Sequence, residues 1–453
     1  MQRIVVKNFL GIQEVDIKIG KVLVFIGEQA SGKSTLAQLI YFFQTIQEDI
    51  SNISFTNNNK EVFRDENDLE EFITDKFYNF FGSTQFWDSF EVSYFYGNNK
   101  RITLSTSHDY KTLQVQITST LTTGLIQAYK NILEHTTPEF QQLLRLPIKQ
   151  AFASINKRHE LLSQIFELKQ ANSLYVVAGR NATVSYPDLF KKYLFSSLQR
   201  SIEEQKAATP LAKKQNTNEI LMLQFVGHVE LIKENLSSAG GMKEIINSRE
   251  KNEYLVLANE KIERILKGKY VQNIMGERIK LQGQSNKYVL LKNASSGQQE
   301  AIRILQDLFL LIAEERTEMR VFEEPEANLF PIAQKEMIEL MALMLNVVPD
   351  SSIIITTHSP YILSVINNLL FAGQVAAKSP DKKAAVEQLI HEKFWLQPED
   401  VNAYSLGNSY DSDKNYFEDI FNEATGTIDQ NYLDAVSEML GEEFYQLIDI
   451  NNQ

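Results

Sequence analysis

The stretch GEQASGKST, residues 27–35, matches the pattern G-x-x-x-x-G-K-[ST]. An apolar strand, KVLVFI at 21–26, precedes it and an amphipathic helix follows it, which is the context that a phosphate-binding loop requires. Glycines let the backbone wrap a phosphate chain, and a helix N-terminus attracts an anion. A glycine turn with a solvated lysine is the alternative, but it does not account for both flanks. The stretch therefore predicts a nucleotide site in an α/β fold.

The predicted ligands of this loop are ATP and Mg²⁺. Lys33 would reach the β- and γ-phosphates, and Ser34 would supply an oxygen to the metal ion. The other residues would contribute backbone N–H groups around the phosphates. The residues predicted to contact the nucleotide here are Gly27, Glu28, Gln29, Ala30, Ser31, Gly32, Lys33, Ser34 and Thr35.

An acidic motif lies far downstream, in RVFEEPEANLFP at 320–331. Its first residues end an apolar strand, and open α/β sheets bind ligands at the carboxyl ends of their strands. Glu323 is suited to hold Mg²⁺ directly or through water, and Glu324 to polarise an attacking water. Two solvated acids at a strand end would give the same local pattern. The presence of the phosphate-binding motif favours the catalytic interpretation.

A histidine follows another apolar strand, in IIITTHSPY at 353–361. A neutral imidazole at His358 can hydrogen-bond a γ-phosphate or the attacking water. A lone histidine is commonly structural, so this predicted role depends on the motifs that accompany it.

In chain order, these motifs resemble those of ABC-type ATPases of the SMC-like and OLD-like branch. Within that branch, the chain resembles the stand-alone ATPase subunits of bacterial anti-phage systems such as Septu, the retron-associated ATPases and PARIS. SLYVVAGRN at 173–181 is similar to the strand and PAGR element of the branch, with Val177 where proline is usual. The motifs that carry the resemblance are residues 27–34, SSGQQE (295–300), EEPEANLFP (323–331) and TTHSP (356–360).

The resemblance implies an ABC-ATPase head, with a P-loop sheet and an antiparallel β subdomain, assembled from both chain ends around helical insertions. It covers roughly residues 1–120 and 270–370. The divisions predicted on this basis are an N-terminal lobe at 1–120, a mainly helical insertion at 121–270 with a returning strand near 173–180, a C-terminal lobe at 271–397 and an acidic tail at 398–453.

A run of small residues precedes an amphipathic helix in NASSGQQEAIR, 293–303. Residues alone leave two interpretations open, an ordinary N-cap or a helix N-terminus left bare for an anion. The resemblance makes the run the signature motif, which faces the γ-phosphate of ATP held by a second subunit and so implies a head-to-tail pair. Ser296 and Ala294 depart from the transporter consensus, as does Glu323 from the usual aspartate, and these departures indicate the non-transporter branch. The predicted contacts are Ser295, Ser296, Gly297 and Gln298.

Two further residues have open interpretations. Gln85, in STQFW at 83–87, is a candidate for the metal-sensing glutamine of the family, although its spacing and context fit poorly. Arg180 is a candidate for contact with a phosphate or with the seam of the pair. A salt bridge within its loop is the alternative for Arg180.

Composition and charge limit the function classes. The chain has no cysteine, which excludes disulfides and thiolate metal sites, and no apolar run approaches the roughly 20 residues that span a bilayer. The N-terminus lacks the apolar core of a signal peptide, so we expect a cytoplasmic protein with no membrane partner. Residues 398–453 hold thirteen acids and one lysine, a net charge of −12, which leaves −1 of the total −13 for the rest. The acidic segment suits docking to a basic partner or is simply a solvated surface.

These observations predict a Mg²⁺-dependent ATPase that forms a head-to-tail dimer or a higher oligomer with itself. It would act as a sensor or scaffold that restrains or activates a separately encoded effector, which the resemblance implies is a nuclease. The OLD relatives carry their own nuclease domain with a D-x-D pair, but Asp411 and Asp413 follow no apolar strand that would fix metal ligands. We therefore expect no nuclease activity in this chain. The alternative function is a DNA-repair or chromosome-maintenance ATPase that clamps DNA, which would need a local basic groove on a nearly neutral body.

Overall fold

The computed structural model describes residues 2–56, 63–106, 112–135, 159–170, 172–186, 192, 196, 217–273, 276–283, 287–407 and 415–429. The strands are β1 (Gln2–Phe9), β2 (Ile12–Ile19), β3 (Val22–Gly27), β4 (Glu91–Gly97), β5 (Lys100–Ser105), β6 (Gln114–Ile117), β7 (Asn172–Val176), β8 (Gly268–Asn273), β9 (Gly276–Leu281), β10 (Tyr288–Leu290), β11 (Glu318–Glu323), β12 (Ser352–Thr357), β13 (Val401–Leu406), β14 (Phe417–Asp419), β15 (Phe421–Asn422) and β16 (Thr427–Ile428).

The described helices lie between β3 and β13 in the chain, singly or in groups. They are α1 (Lys33–Gln44), α2 (Ile46–Thr56), α3 (Glu66–Phe81), α4 (Ser119–His135), α5 (Ala182–Ser185), α6 (Thr217–Ser238), α7 (Met242–Ser248), α8 (Glu253–Leu266), α9 (Ser296–Glu314), α10 (Pro331–Val347), α11 (Pro360–Ala376) and α12 (Pro380–Glu387). A further helical segment spans 159–166. Across the described residues, no helix combines the length and the apolar content needed to cross a membrane.

A six-stranded sheet, here called the P-loop sheet, forms the centre of the fold in the order β14-β13-β3-β12-β11-β7. All neighbouring pairs from β13 to β7 are parallel, and β14 is antiparallel at the edge. Helix α1 packs on the sheet, and Ile338 and Met341 of α10 pack with Ile353 and Ile355 of β12 around a small apolar cavity. Strands covered on both faces need continuous apolar runs, which explains why β3 is buried at every position.

A second sheet is antiparallel, in the order β2-β1-β4-β5-β6. The edge strands β2 and β6 largely alternate buried and exposed residues, as expected where one face is covered, whereas the central strands β4 and β5 are buried at consecutive positions. Phe9 of β1 contacts Phe77 and Phe81 of α3 edge-on, with ring centroids 6.3 Å and 5.3 Å away. This sheet is the predicted antiparallel subdomain. Together with the P-loop sheet it confirms the predicted α/β fold class.

A small sheet, β10-β9-β8, leads through a short 3-10 turn at Leu291–Asn293 into α9. Arg303 of α9 forms a bidentate pair with Glu277 of β9, with N–O distances of 2.6 Å and 2.8 Å. Helix α9 is buried along most of its length and also packs on α8 and α10. The small sheet therefore holds the first turns of α9 in place.

The predicted boundary after residue 397 is wrong as the edge of the α/β core. It assigns Val401–Leu406 to the acidic tail, whereas the structure places this segment as β13, parallel to β3. Five of its six residues are buried, so the strand is part of the core although the segment as a whole is acidic. The returning strand predicted near 173–180 is present as β7, and it joins the same sheet beside β11.

Candidate functional site

Neighbouring parallel strands of the P-loop sheet end at one edge. Because β3, β12, β11 and β7 are adjacent and run in the same direction, the segments that follow them lie side by side. This arrangement brings together the predicted phosphate-binding loop, the acidic motif and the histidine. In order across the edge, the residues that end or follow the four strands are Gly27, His358, Glu323 and Val177.

The loop between β3 and α1 is a turn with left-handed backbone at Ala30 and Gly32, where φ is 60° and 95°. Gly32 is the N-cap of α1 and brings no side-chain cap, so the first N–H groups of the helix remain available to an anion. Lys33 is buried, and its Nζ donates to the carbonyls of Gly27 at 2.9 Å and Glu28 at 2.6 Å. Burial lowers the pKa of Lys33 to about 8, against the attraction of Glu324 and other nearby carboxylates. The loop is thus formed around its own lysine.

The end of β13 and the segment that follows it pack against this loop. A Cβ on Gly27 would lie 1.9 Å from the Leu406 carbonyl oxygen, so only glycine fits there. A Cβ on Gly407 would lie 2.6 Å from Cβ of Ser31, and the Tyr416 hydroxyl donates to the Ser31 carbonyl at 2.7 Å. Sequence reasoning missed Tyr416 as a support of the loop. The only local signal was the apolar run VNAYSL, which is consistent with a strand.

The acidic motif and the histidine meet directly. Nε2 of His358 lies 3.3 Å from Oε1 of Glu324, and these two side chains are 34% and 40% exposed. Glu324 has a positive φ of 45°, and its N–H donates to the Thr356 carbonyl at 2.9 Å. Oε2 of Glu323 accepts from the Ala178 N–H at 3.1 Å. A carboxylate and an imidazole therefore face solvent together at the strand ends.

Glu326 is a residue for which the sequence suggested no role. It is buried, and its Oε1 accepts from the Thr357 hydroxyl at 2.5 Å and from the His358 N–H at 3.1 Å. Burial raises the pKa of Glu326, although these hydrogen bonds oppose the change. The carboxyl group fixes the turn that presents His358. Its position two residues after Glu324 in the motif was the signal that could have identified it.

The small-residue run before α9 has an ordinary cap. Ser295 is the N-cap, its Oγ accepts from the Gln298 N–H at 3.4 Å, and Gln298 Oε1 accepts from the Ser295 N–H at 3.0 Å. This is a capping box, the first of the two interpretations of the run. A Cβ on Gly297 would lie 2.5 Å from the Asn328 carbonyl oxygen, so glycine is needed for contact with the acidic motif. Contact of Ser295, Ser296, Gly297 and Gln298 with a second subunit's nucleotide stays a prediction.

The prediction that Arg180 contacts a phosphate or the seam of a pair is wrong. Its side chain is 0% exposed, and its guanidinium donates to four main-chain carbonyls. Nε also lies 3.5 Å from Oε2 of Glu300 in α9, so Arg180 forms its salt bridge with another element and not within its own loop, as the alternative had it. A guanidinium enclosed in this way is inaccessible to a ligand.

The remaining candidates lie apart or outside the described residues. Gln85 is exposed on the turn between α3 and β4, and its N–H donates to Ser83 Oγ at 3.2 Å. Within the described part of the chain, no hydrogen bond or ion pair joins its side chain to Ser34 or Glu323, and its metal role stays a prediction. Asp411 and Asp413 lie outside the described residues.

The donor set at the sheet edge fits the predicted metal ion. The Ser34 hydroxyl at the start of α1 and the Glu323 carboxylate at the end of β11 are hard oxygen ligands. Mg²⁺ prefers such ligands and is usually bound through one or two protein groups together with phosphate oxygens. These two residues could therefore hold Mg²⁺ beside a nucleotide.

Comparison with known proteins adds a family. A sequence model described as an AAA ATPase domain matches residues 1–363. Similar solved structures include the SMC head domain from Thermotoga maritima, with a TM-score of 0.31, 11% identity, and coverage of 80% of this chain and 90% of that one. Another is the Smc head domain from Pyrococcus furiosus, which has an extended coiled coil and is bound to the C-terminal domain of ScpA. Its TM-score is 0.31 and its sequence identity 11%, with coverage of 81% of this chain and 92% of that one. The structure of the recombination mediator protein RecF-ATPrS has a TM-score of 0.29 and 11% identity, with coverage of 79% of this chain and 92% of that one. No curated protein matches the sequence.

Proposed function

The chain belongs to the AAA ATPase domain family, and we propose that it hydrolyses ATP at the edge of the P-loop sheet, with Glu324 as the general base. The observation that carries the proposal is the 3.3 Å contact between Glu324 and His358 beside the phosphate-binding loop. The two side chains come from adjacent strands and are partly exposed, so both can reach a bound triphosphate and its attacking water.

The chain's own residues divide the work as follows. Lys33 neutralises charge on the β- and γ-phosphates, and the uncapped N–H groups of α1 bind phosphate oxygens. Glu324 polarises the attacking water, and His358 hydrogen-bonds the γ-phosphate or that water. Mg²⁺, when bound, supplies compensation for the charge that develops on the phosphate oxygens, and Ser34 with Glu323 would hold it.

A second copy of the chain is the proposed first partner. The segments that follow Glu324 and His358 expose large apolar side chains, with Phe330 72%, Ile332 55% and Tyr361 53% exposed. Such side chains next to a polar site are typical of an interface. The described side-chain hydrogen bonds of Ser295 and Gln298 lie within the capping box and to the Leu266 carbonyl, which leaves their outer face open to a partner. A head-to-tail pair would place this face over the other copy's nucleotide.

In the cell, we propose that the ATPase serves as sensor or scaffold for a separately encoded effector, a nuclease, in anti-phage defence. This role is supported by the resemblance of the motifs to the ATPase subunits of such systems and by the acidic composition of 398–453, which suits a basic partner. Direct DNA clamping is the other outcome. It would show as DNA binding by the isolated ATPase that weakens steeply with salt.

The Glu324→Gln variant tests the base. We expect it to bind ATP with unchanged affinity and to lose hydrolysis by about 100-fold or more, because a carboxamide cannot accept the water's proton. Phosphate release and the affinity for a nucleotide are the two measurements. The matched control is Glu14→Gln, an exposed glutamate in β2 that pairs with Lys7. Hydrolysis by Glu324→Gln at the parental rate would show that Glu324 is not the base.

The Ser295→Arg change tests pairing in the Glu324→Gln background. We expect ATP to double the mass of the single variant in light scattering and to leave the double variant monomeric, since the arginine would protrude toward the partner's nucleotide. The cap lost with Ser295 lowers stability by about 1 kcal/mol, so thermal stability is measured in parallel. The control is Ser248→Arg at the exposed end of α7. An unchanged mass of Glu324→Gln with ATP would contradict pairing.

A further inference from the structure

Arg180 follows β7 and is wholly buried among three segments of the site. Its Nε donates to the Glu300 carbonyl of α9 at 3.0 Å. Its terminal nitrogens donate to the carbonyls of Glu323 and Glu324, both at 2.9 Å. A fourth hydrogen bond, to the Val177 carbonyl at 3.2 Å, holds the guanidinium to its own loop. One side chain thus ties β7 and the first turns of α9 to the turn that carries the base.

The charge of Arg180 matches its surroundings. The carboxylates of Glu300, Glu323, Glu324 and Glu326 all attract the buried cation. Burying an unpaired arginine is strongly unfavourable, and these acids together with the carbonyl hydrogen bonds offset only part of the desolvation, so burial still lowers the pKa of Arg180. A lysine would keep the charge but could not direct donors to carbonyls on three sides, because its donors radiate from one atom. The site therefore requires a guanidinium and not merely a positive charge.

One of the residues whose carbonyl Arg180 binds, Glu324, has unusual backbone geometry. Glu324 adopts a left-handed φ of 45°, which raises the energy of a residue with a side chain and needs support from its surroundings. The Glu324 N–H is bound by the Thr356 carbonyl at 2.9 Å and the Glu324 carbonyl by Arg180. The two contacts secure both ends of this residue, and they set the direction in which its carboxylate points toward His358.

We propose that Arg180 is a positioning residue that holds Glu324 in its working orientation and links that orientation to the start of α9. The inference rests on the proposed function, since it concerns the base of the same ATPase. Because α9 begins at the surface expected to face the other copy's nucleotide, Arg180 connects that surface to the chain's own base. Arg180 itself touches no substrate.

The test compares Arg180→Lys and Arg180→Met with the parent protein. We expect both to bind a non-hydrolysable ATP analogue within about twofold of the parental affinity, while kcat falls about tenfold or more and KM is unchanged. Arg180→Lys should lose less than Arg180→Met. The matched controls are Arg101→Lys and Arg101→Met, at an exposed position of β5. A fall in kcat with KM and analogue affinity unchanged is the result that a merely structural role would not give.

Other results would contradict the positioning role of Arg180. If Arg180→Lys failed to fold, or lost thermal stability, analogue affinity and kcat together, Arg180 would be structural and the inference would be wrong. Parental kcat in Arg180→Lys would overturn it as well. The Glu324→Gln variant, measured in the same assays, distinguishes failure of the positioning role from failure of the proposed function. Loss of hydrolysis in Glu324→Gln together with parental kcat in Arg180→Lys would refute the positioning role and leave the proposed function standing.

Discussion

Gly297 shows how a single position is constrained by a contact distant in sequence. It lies in the first turn of α9, where any residue could adopt the backbone, yet a Cβ there would meet the Asn328 carbonyl at 2.5 Å. Asn328 itself has a positive φ of 60°, and the clash would be with backbone and not with the end of a flexible side chain. The glycine therefore permits close contact between α9 and the segment after Glu324.

We expect Gly297→Ala to lower the free energy of unfolding by about 1–3 kcal/mol, because the methyl group forces a backbone shift in a packed region. Turnover should fall as well, since the shift is next to the proposed base, Glu324. Ser296→Ala, at the exposed neighbouring position, is the control and should change stability by about 0.5 kcal/mol or less. Urea unfolding and phosphate release measure the two effects. Equal stability of the two variants would refute the steric explanation.

Helix α9 is anchored to the rest of the fold by two ion pairs, one partly buried and one fully buried. Arg303 binds Glu277 of β9, and Asp307 binds Arg320 of β11 through N–O distances of 2.7 Å and 3.1 Å. His228 of α6 also contacts Asp307, at 2.7 Å. The acidic motif follows from β11, and the small-residue run lies at the start of α9. These pairs therefore fix the position of the acidic motif relative to the small-residue run.

The Arg303–Glu277 pair makes a pH-dependent contribution to stability. Burial alone would raise the pKa of Glu277, but its hydrogen bonds and attraction to Arg303 outweigh burial and lower the pKa to about 2. A carboxyl whose folded pKa is depressed stabilises the fold above its unfolded pKa, and this contribution is lost as pH falls from about 4.5 toward 2.

We therefore expect Glu277→Gln to lower the free energy of unfolding by about 2–3 kcal/mol at pH 7, because it leaves the buried Arg303 without its countercharge. The difference from the parent should shrink below about pH 4.5. Urea unfolding at pH 7, 5, 4 and 3 measures this, with the exposed Glu14→Gln as control. A difference that stays constant down to pH 3 would contradict the assignment.

The whole α/β core depends on β13, the strand at Val401–Leu406. β13 pairs in parallel with β3 from Val401–Val22 to Leu406–Gly27, directly under the phosphate-binding loop. The acidic segment 398–453 is therefore not one unit. Its first part builds the sheet, and only residues after 429 can be removed without deleting a described strand.

We expect truncation after Asp429 to give a folded ATPase, and truncation after Gln397 to give insoluble protein without nucleotide binding. The physical reason is that the second truncation exposes the edge of β3 and removes the support from Leu406 and Tyr416. Solubility, thermal stability and ATP binding measure this. Nucleotide binding by a soluble 1–397 chain would show that β13 is dispensable.

The full chain and the chain that ends at Asp429 together test the proposed effector. The product of a neighbouring gene should co-purify with the full chain and less with the chain ending at Asp429, if the acidic segment is the docking site. Equal recovery with both chains would discard docking by residues after 429 and leave the ATPase proposal intact.

Local patterns were sufficient to predict the phosphate-binding loop, the acidic pair and His358, because a strand, a turn and a helix are consecutive in the chain. The α/β class followed from the same patterns. The neighbours of each strand were not predictable in this way, since parallel pairing joins segments hundreds of residues apart without leaving a local signal. The support of the loop by Tyr416, the role of Glu326, the contact of Gly297 with Asn328 and the burial of Arg180 against three carbonyls of the site all depend on that pairing. Only the tertiary structure decided them, because each is a contact between segments distant in the chain that exists only once the sheet has brought the strand ends together.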